Sequence, residues 1–337
     1  MKSLEALNEE LRNTLPKSIA QWNDGKSVMP GGVIKGAYFQ PPCPVYMDRS
    51  RDCYLWDIDG HRYVDFANHH TAMILGHSHP AVVEAVKNAL DRGFAFGGPT
   101  KLEKEIAEEL VNRFPAIDKV RYTNSATEAS INATRIVRKA SGKPKVAKFE
   151  GAYHGFNPSL EHSTSPPLDQ AGPAEAPEAI PGQDGMPRGI QDDVVMLPMN
   201  DLESMELILR EHKDDLAAVF HDGRPGWYDS PEDLTRFLRK LTAELGIYLV
   251  FDEVVSFRVG YSGYQGLVGV EPDLTIFGKI VGGGLPGGAL GGKAELMDLL
   301  DNTEEQTGLN QSGTFAGNHF TLSAGLATLR ALTPEVY

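Results

Sequence analysis

Cysteine is nearly absent: the 337 residues hold two, Cys43 and Cys53. So sparse a pair supports neither a disulfide scaffold nor a thiolate zinc site, and both read as structural thiols. Positive charge is also short, with 32 Lys and Arg against 46 Asp and Glu and a formal net charge of -14. Nucleic acids are bound through clusters of Lys and Arg that displace counterions from phosphates, so this balance argues against such a partner. No apolar run approaches the roughly 20 residues needed to cross a bilayer. The opening stretch MKSLEALNEELRNTLPKS is charged and amphipathic and lacks the apolar centre of a signal peptide. A cytoplasmic enzyme is the expectation. What is present is ordinary globular usage, 41% hydrophobic and 23% charged, in a length that suits a large domain with a smaller one.

Residues 1–28 read as helical until Met29-Pro30-Gly31-Gly32 breaks the pattern. From Val45 to Phe66, short alternating runs flank the turn signal Asp59-Gly60 and predict a small antiparallel element. Pro80 to Arg92 and Lys101 to Phe114 carry apolar residues at three- and four-residue steps, as amphipathic helices do. The middle of the chain then alternates strand and helix: KVRYTNS, a helix through Thr134 to Arg138, KVAKFEG, helix 201–212, DLAAVFHD, helix 231–245 and IYLVFDEV. Such alternation predicts an α/β fold, a mostly parallel sheet with helices on both faces. Asn157 to Asp193 is rich in Pro, Gly and acids and reads as a lid or a disordered segment. The expected division is an N-terminal helix and small antiparallel element over 1–75, a large α/β domain over 76–330, and the start of a further region over 331–337.

Four patterns fall at the ends of these strands, where open α/β sheets bind ligands. Asn124-Ser125-Ala126-Thr127-Glu128-Ala129 leads from strand to helix and could cradle a phosphate with amides and hydroxyls, or simply cap the helix through Ser125 or Thr127. Gly151-Ala152-Tyr153-His154-Gly155 puts an aromatic ring and an imidazole between glycines, for stacking on a flat cofactor or for a packed tight loop. Leu249 to Val254 is an apolar strand ending in Asp252 and Glu253; buried acids need a partner, and a cationic one such as the pyridinium nitrogen of pyridoxal phosphate suits Asp252 better than a metal lacking further ligands. Glu253 reads as a cap or an ion-pair partner near the strand end. Phe277 to Gly288 places Lys279 before a glycine-rich run. Its G-x-G-x-x-G from Gly282 to Gly287 contains Pro286 and precedes the strand-like ALGGK, a weak dinucleotide signal, and Lys279 lies on the wrong side of the glycines for a phosphate-binding loop. Burial among glycines and apolar residues would depress the lysine's pKa and favour the free amine that a Schiff base requires, while a solvated strand-end lysine is the plain alternative. His69, His70, His77 and His79 read as loop or core histidines rather than metal ligands.

In this order the motifs MPGG, WDIDGHRYVDF, ILGHSHP, TNSATEA, FEGAYHG, FDEV, PDLTIFGKIVGGGLPGG and SGTFAGN resemble the class III aminotransferases of fold type I, particularly the branch around glutamate-1-semialdehyde 2,1-aminomutase. The resemblance runs from about Met29 to the last residue. It implies pyridoxal phosphate as cofactor, Lys279 as its Schiff-base lysine and proton carrier, and Asp252 paired with the pyridine nitrogen. Tyr153 and Val254 would hold the two ring faces, with His154 beside the cofactor. Ser125, Ala126 and Thr127 would cradle the phosphate, and Thr314 would reach it from the other subunit of a homodimer. A C-terminal small domain is also implied, of which 331–337 would be only the start, with poor solubility or low activity expected of a chain lacking it.

This sequence departs from the pattern in places. The loop PGGVIKGAYF has no Arg for a substrate carboxylate, and an ungapped match to the β-amino-acid aminotransferase branch puts Lys35 at that position, able to act as a point charge but not bidentately. Ala126 stands where the family prefers Gly, which requires negative φ there. Asp222-Gly223 replaces Glu-Pro, and Trp227 falls near the usual contact to the cofactor hydroxyl. The activity implied is amino transfer between a β-, ω- or D-type amino compound and a 2-keto acid. The alternatives are the aminomutase reaction within one molecule and cofactor binding without turnover.

Overall fold

The computed structural model describes residues 2–93, 95–187, 189–224, 228–303 and 308–337. Contacts divide the chain into one unit up to Pro80 and another from Ala81.

In the first unit, Ser3 caps α1 (Leu4–Thr14) by accepting from the Ala6 amide. The helical run expected over 1–28 is two helices. Pro16 has no N–H to donate and can only begin a helix, so α2 (Pro16–Gly25) starts afresh there. The strands β1 (Met47–Arg51), β2 (Tyr54–Asp57) and β3 (Arg62–Val64) form the expected antiparallel sheet in that order. Gly60 adopts φ +100 in the β2–β3 turn. Asp59 beside it accepts from the Lys17 and Ser18 amides at 2.7 and 3.0 Å, so the turn caps α2. A single turn, α3 (Asn68–Thr71), has positive φ at all four residues, a conformation costing roughly 1–2 kcal/mol per residue. Asp65 anchors it, accepting from the Asn68 amide at 2.8 Å and pairing with His77 Nε2 at 2.7 Å. Cys43 is buried and Cys53 exposed, both as free thiols.

α4 (Pro80–Leu90) leads into the second unit, where α5 (Lys101–Arg113) follows with a capping box made by Thr100 and Glu103. The sheet contains β4 (Lys119–Thr123), β5 (Lys145–Phe149), β6 (Val194–Leu197), β7 (Leu216–His221), β8 (Tyr248–Asp252), β9 (Leu274–Gly278) and β10 (Gly288–Gly292), in the order β4-β10-β9-β8-β7-β5-β6. β10 runs antiparallel to both neighbours, and the remaining pairs are parallel. Between them run α6 (Ala126–Ser141), α7 (Leu202–Glu211), α8 (Pro231–Leu245), α9 (Glu253–Ser256), α10 (Gly263–Val268), α11 (Ala294–Met297) and α12 (His319–Ala331).

Every residue of β7 is buried because helices cover both faces. Val219, Leu249 and Phe251 pack with Met205 and Leu209 of α7 and Leu234 and Leu238 of α8. Ala218, Phe220 and Val250 pack with Ala133, Ile136 and Val137 of α6. The α/β architecture is therefore the expected one. The stretch from Asn157 to Asp193 differs in its first part from a lid or a disordered segment. Leu160, His162 and Ser163 are buried, and Ser163 exchanges backbone bonds with Gly151 and Ile180 at 2.8 and 2.7 Å.

Candidate active site

The strands end together at one edge of the sheet. Antiparallel β10 sits between β4 and β9, so Gly288 is paired with Thr123 on one side and Gly278 on the other. Asp252 is paired with Ile276, two residues from Gly278, and His221 with Phe251. Three of the four sequence patterns thus converge through the sheet itself, and the fourth, after β5, reaches them through side chains.

The turn after β4 supports both of its readings. Ser125 is the N-cap of α6 and accepts from the Glu128 amide at 3.2 Å, while Thr123 Oγ1 donates to the Ser125 carbonyl at 2.8 Å. Glu128 reaches back to accept from the Asn124 amide at 2.8 Å. The amides of Ala126 and Thr127, in the first turn of the helix, have no intrahelical acceptor and lie at the positive end of its dipole. Ala126 lies in helical backbone with negative φ, as its methyl requires. Glycine brings the neighbours close: a Cβ on Gly288 would strike the Ser125 carbonyl, and one on Gly278 would lie 2.9 Å from Ala126 Cβ and 3.4 Å from Val254 Cγ1.

Lys279 follows at the corner where β9 ends, with φ +51, a left-handed conformation that a lysine adopts only when its surroundings impose it. Gly283 and Gly284 are also left-handed, and strand β10 follows where a dinucleotide-binding turn would open a helix. Among the described residues, Lys279 Nζ has no hydrogen-bond or ion-pair partner. Burial lowers its amine below the ordinary lysine value, with Asp252 acting in the opposite sense. An amine that is desolvated, unbonded and near a carboxylate is suited to nucleophilic attack on a carbonyl.

Asp252 is buried at the end of β8, where its Oδ1 accepts from the Val254 amide at 3.0 Å and its Oδ2 faces His154 Nδ1 at 2.8 Å. The tight glycine turn after β5 delivers His154 to this point. Gly155 has φ +84, and its Cα packs so closely on Thr127 that a Cβ would lie 3.0 Å from Thr127 Cα. Tyr153 next to it is half exposed, at 49%. Burial raises its phenol pKa, and Glu161 and Asp252 add to the effect. Glu253, by contrast, turns away into the protein, accepting from the Tyr264 and Gln265 amides at 3.1 and 2.9 Å, and so serves α10 as a cap. Asp222 after β7 is buried, and burial raises its pKa. Its Oδ2 takes Arg224 Nε at 2.6 Å, whereas its buried Oδ1 has no hydrogen-bond partner among the described residues. Among the described residues no group of three His, Cys, Asp or Glu is placed to hold a metal, and no helix is long and apolar enough to cross a membrane.

A sequence profile of the family described as Aminotransferase class-III matches residues 37–336. The chain belongs to the class-III aminotransferases. Like the rest of that family it is a pyridoxal-phosphate-dependent enzyme, a transaminase or an aminomutase. Glutamate-1-semialdehyde 2,1-aminomutase 2 of Bacillus licheniformis is 41% identical over 328 residues, 95% of this chain and 74% of that protein. Among solved structures, an omega-transaminase from Sphaerobacter thermophilus superposes with a TM-score of 0.89 at 41% identity, covering 94% of this chain and 73% of the other. A β-phenylalanine aminotransferase from Variovorax paradoxus gives 0.86 at 32%, covering 98% and 73%.

The class-III cofactor fits what this chain offers. The Lys279 amine, unbonded among the described residues, the oriented acid Asp252 and the first-turn amides of Ala126 and Thr127 suit an aldehyde, a ring nitrogen and a phosphate. Gly278, lacking a side chain, lets Ala126 and Val254 close in at the end of β9, beside Lys279. The remaining expected residues are less tied to this edge. Thr314 is exposed in a turn, directly after Gly313, where a Cβ would lie 3.0 Å from Asn124 Nδ2. Lys35 belongs to the first unit, exposed with its Nζ 4.3 Å over the Tyr38 ring. Trp227 lies outside the described residues. Sequence reasoning missed Lys148 and His221, both fully buried. The available signal was a polar residue among buried apolar neighbours, Lys148 in KVAKF, which also opens on Lys145, and His221 at the end of LAAVFH.

Proposed function

We propose that this enzyme moves an amino group between a β-, ω- or D-type amino compound and a 2-keto acid, with Lys279 as the residue that tethers the cofactor. The observation that carries the reading is the half-buried Lys279 amine, which has no bonded partner among the described residues, one residue from the place where Gly278 lies against both Ala126 and Val254. Bound here, pyridoxal phosphate supplies an electrophilic carbon for an amine and a ring that draws electrons from the reacting carbon. Lys279, held at the β9 corner, would hold the cofactor and stay within reach of the reacting carbon as general base and then acid. Asp252 faces the ring nitrogen, and His154 and the Val254 amide fix its orientation. Ser125, Ala126 and Thr127 hold the phosphate, while Tyr153 and Val254 contact the two faces of the ring. Thr314, exposed on its turn, reaches the phosphate of a second subunit in a homodimer. Lys35 meets the substrate carboxylate as a point charge. The enzyme acts in the cytoplasm on small molecules, with no nucleic-acid or membrane partner.

Borohydride reduction of the loaded enzyme followed by peptide mapping tests the tether: the cofactor's mass is expected on the peptide containing Lys279, and a label elsewhere, or none, overturns the assignment. The 41% identity to an aminomutase favours a second reading, intramolecular amino transfer. Assaying amino donors with pyruvate and 2-oxoglutarate beside glutamate-1-semialdehyde alone separates the two. Dependence on a keto acid supports transamination, conversion without one supports the mutase, and cofactor binding with neither leaves a binding protein.

A further inference from the structure

We propose that Lys148 is a positioning residue, whose buried side chain ties together both ends of the segment that carries Tyr153 and His154. The inference rests on the reading that these two rings serve the cofactor site. Lys148 lies inside β5, completely buried. Its Nζ donates to the Ala152 carbonyl and to the His162 carbonyl, both at 2.6 Å. Residues 153–161 run between those carbonyls. Within that span His154 meets Asp252 and Gly155 packs on Thr127. One side chain thus closes a loop whose tip touches both the end of β8 and the start of α6.

A lysine at this position is unfavourable as a strand residue. Its neighbours Val146, Ala147 and Phe149 are apolar and buried, and an amine taken out of water without compensation is costly. The two carbonyls provide the compensation, and they are far apart in the segment, so the bonds constrain its shape rather than the strand's. The groups that bear on the amine are Asp222 and Glu161, which favour its charge, and Arg224 and His162. Met196 and Phe220, paired with Lys148 across the sheet, carry no charge. Burial is the largest influence and lowers the amine to about 7. A cation donates stronger hydrogen bonds than a neutral amine, so the strap is tighter on the acid side of neutrality and looser above it.

Hydrogen–deuterium exchange on the cofactor-free protein reads this directly, in the wild type and in Lys148→Met and Lys148→Arg. Lys148→Met keeps length and removes donors, and exchange in 151–163 is expected to rise about tenfold or more, with β8 and β9 protected as before. Lys148→Arg retains charge and donors and is expected to restore most of the protection. In the loaded protein, Lys148→Met is expected to shift the cofactor's absorption band and weaken its binding. Unchanged exchange in 151–163, or a rise shared equally by all strands, overturns the proposal. Should Lys148→Met fail to fold, the wild type decides: exchange in 151–163, corrected for intrinsic base catalysis, must rise between about pH 6 and 8.5 more than elsewhere, and a flat profile refutes the strap. Because these measurements need no cofactor, they can fail while borohydride still labels Lys279, and succeed if it does not.

Discussion

Alanine at Gly155 tests how firmly the turn after β5 is seated on α6. The residue has φ +84, and the added methyl would meet Thr127 Oγ1 and lie 3.0 Å from Thr127 Cα. Two separate costs arise. Left-handed backbone disfavours a residue with a Cβ by roughly 1–2 kcal/mol, and forcing a methyl into a filled space adds about 1–3 kcal/mol. If the turn stays in place, stability falls by the sum, about 2–5 kcal/mol. If it lifts instead, less stability is lost, but His154 moves off Asp252 and the amides of Ala126 and Thr127 lose their neighbour. The cost then appears as weaker cofactor binding, with tenfold in affinity for each ~1.4 kcal/mol.

Gly185→Ala is the control. Its φ is +90, yet no atom lies within 4 Å of the added methyl, so it bears the backbone cost alone. Denaturant unfolding of the cofactor-free proteins measures stability, and titration with pyridoxal phosphate measures affinity. Gly185→Ala is expected to lose about 1–2 kcal/mol with affinity unchanged. Gly155→Ala is expected either to lose about 2–5 kcal/mol or to bind the cofactor at least about tenfold more weakly. Equal behaviour of the two variants in both assays would refute the close seating of Gly155 on Thr127.

Lys279→Ala is expected to abolish borohydride-fixed label and to lower amino transfer by at least about a thousandfold, since in the proposed function one amine supplies both tether and proton carrier; turnover within tenfold of wild type contradicts that dual role. Asp252→Asn is expected to retain cofactor, seen by absorbance, while cutting turnover by orders of magnitude because the ring nitrogen loses its carboxylate; near-unchanged turnover rules against the pairing. His221 is fully buried, and burial lowers its pKa to about 3. Below about pH 6.5 the unfolded chain takes up a proton that the folded one refuses, so stability falls as pH drops from 6.5 towards 3, by on the order of 5 kcal/mol. His221→Gln can keep the bond to Thr235 without titrating, and pH-dependent unfolding should then show a shallower acid limb; an identical limb sinks the assignment.

The sequence conveyed elements best where burial and hydrophobicity coincide. Helix 231–245 is found as expected because Pro231 starts it, Gly246 ends it in left-handed backbone and its apolar residues recur at helical spacing. α6 is longer than the segment recognised around Thr134 to Arg138, running Ala126–Ser141. Its N-terminal half is written in Thr, Ser and Asn, which read as polar but are buried. Ser130 and Thr134 hydroxyls bond back to the Thr127 and Ser130 carbonyls at 2.9 Å, so they pack as small core residues with their polarity satisfied locally. The same limit applies at the site. Lys279 and Asp252 stand at strand ends, where a charged residue is conspicuous. Lys148 matters through its bonds to the Ala152 and His162 carbonyls and Asp222 through its pairing with Arg224, and residue type alone announces neither contact.

The position of β10 explains why motifs so far apart in the chain make one site. β4 and β9 would be neighbours in a purely parallel sheet only through another crossover helix, whereas antiparallel β10 returns from β9 through a short glycine-rich connection and inserts between them. The insertion separates the Ser125 turn from the Lys279 corner by a full strand. Gly288 offsets that separation at the critical level, because with no side chain it lets the Ser125 carbonyl sit directly against it. Gly278 does the same towards Ala126 and Val254. Gly278 and Gly288, on either side of the run that superficially suggests dinucleotide binding, permit close backbone approach on both sides of β10, and so bring the corner that carries Lys279 and the start of α6 together at one edge of the sheet.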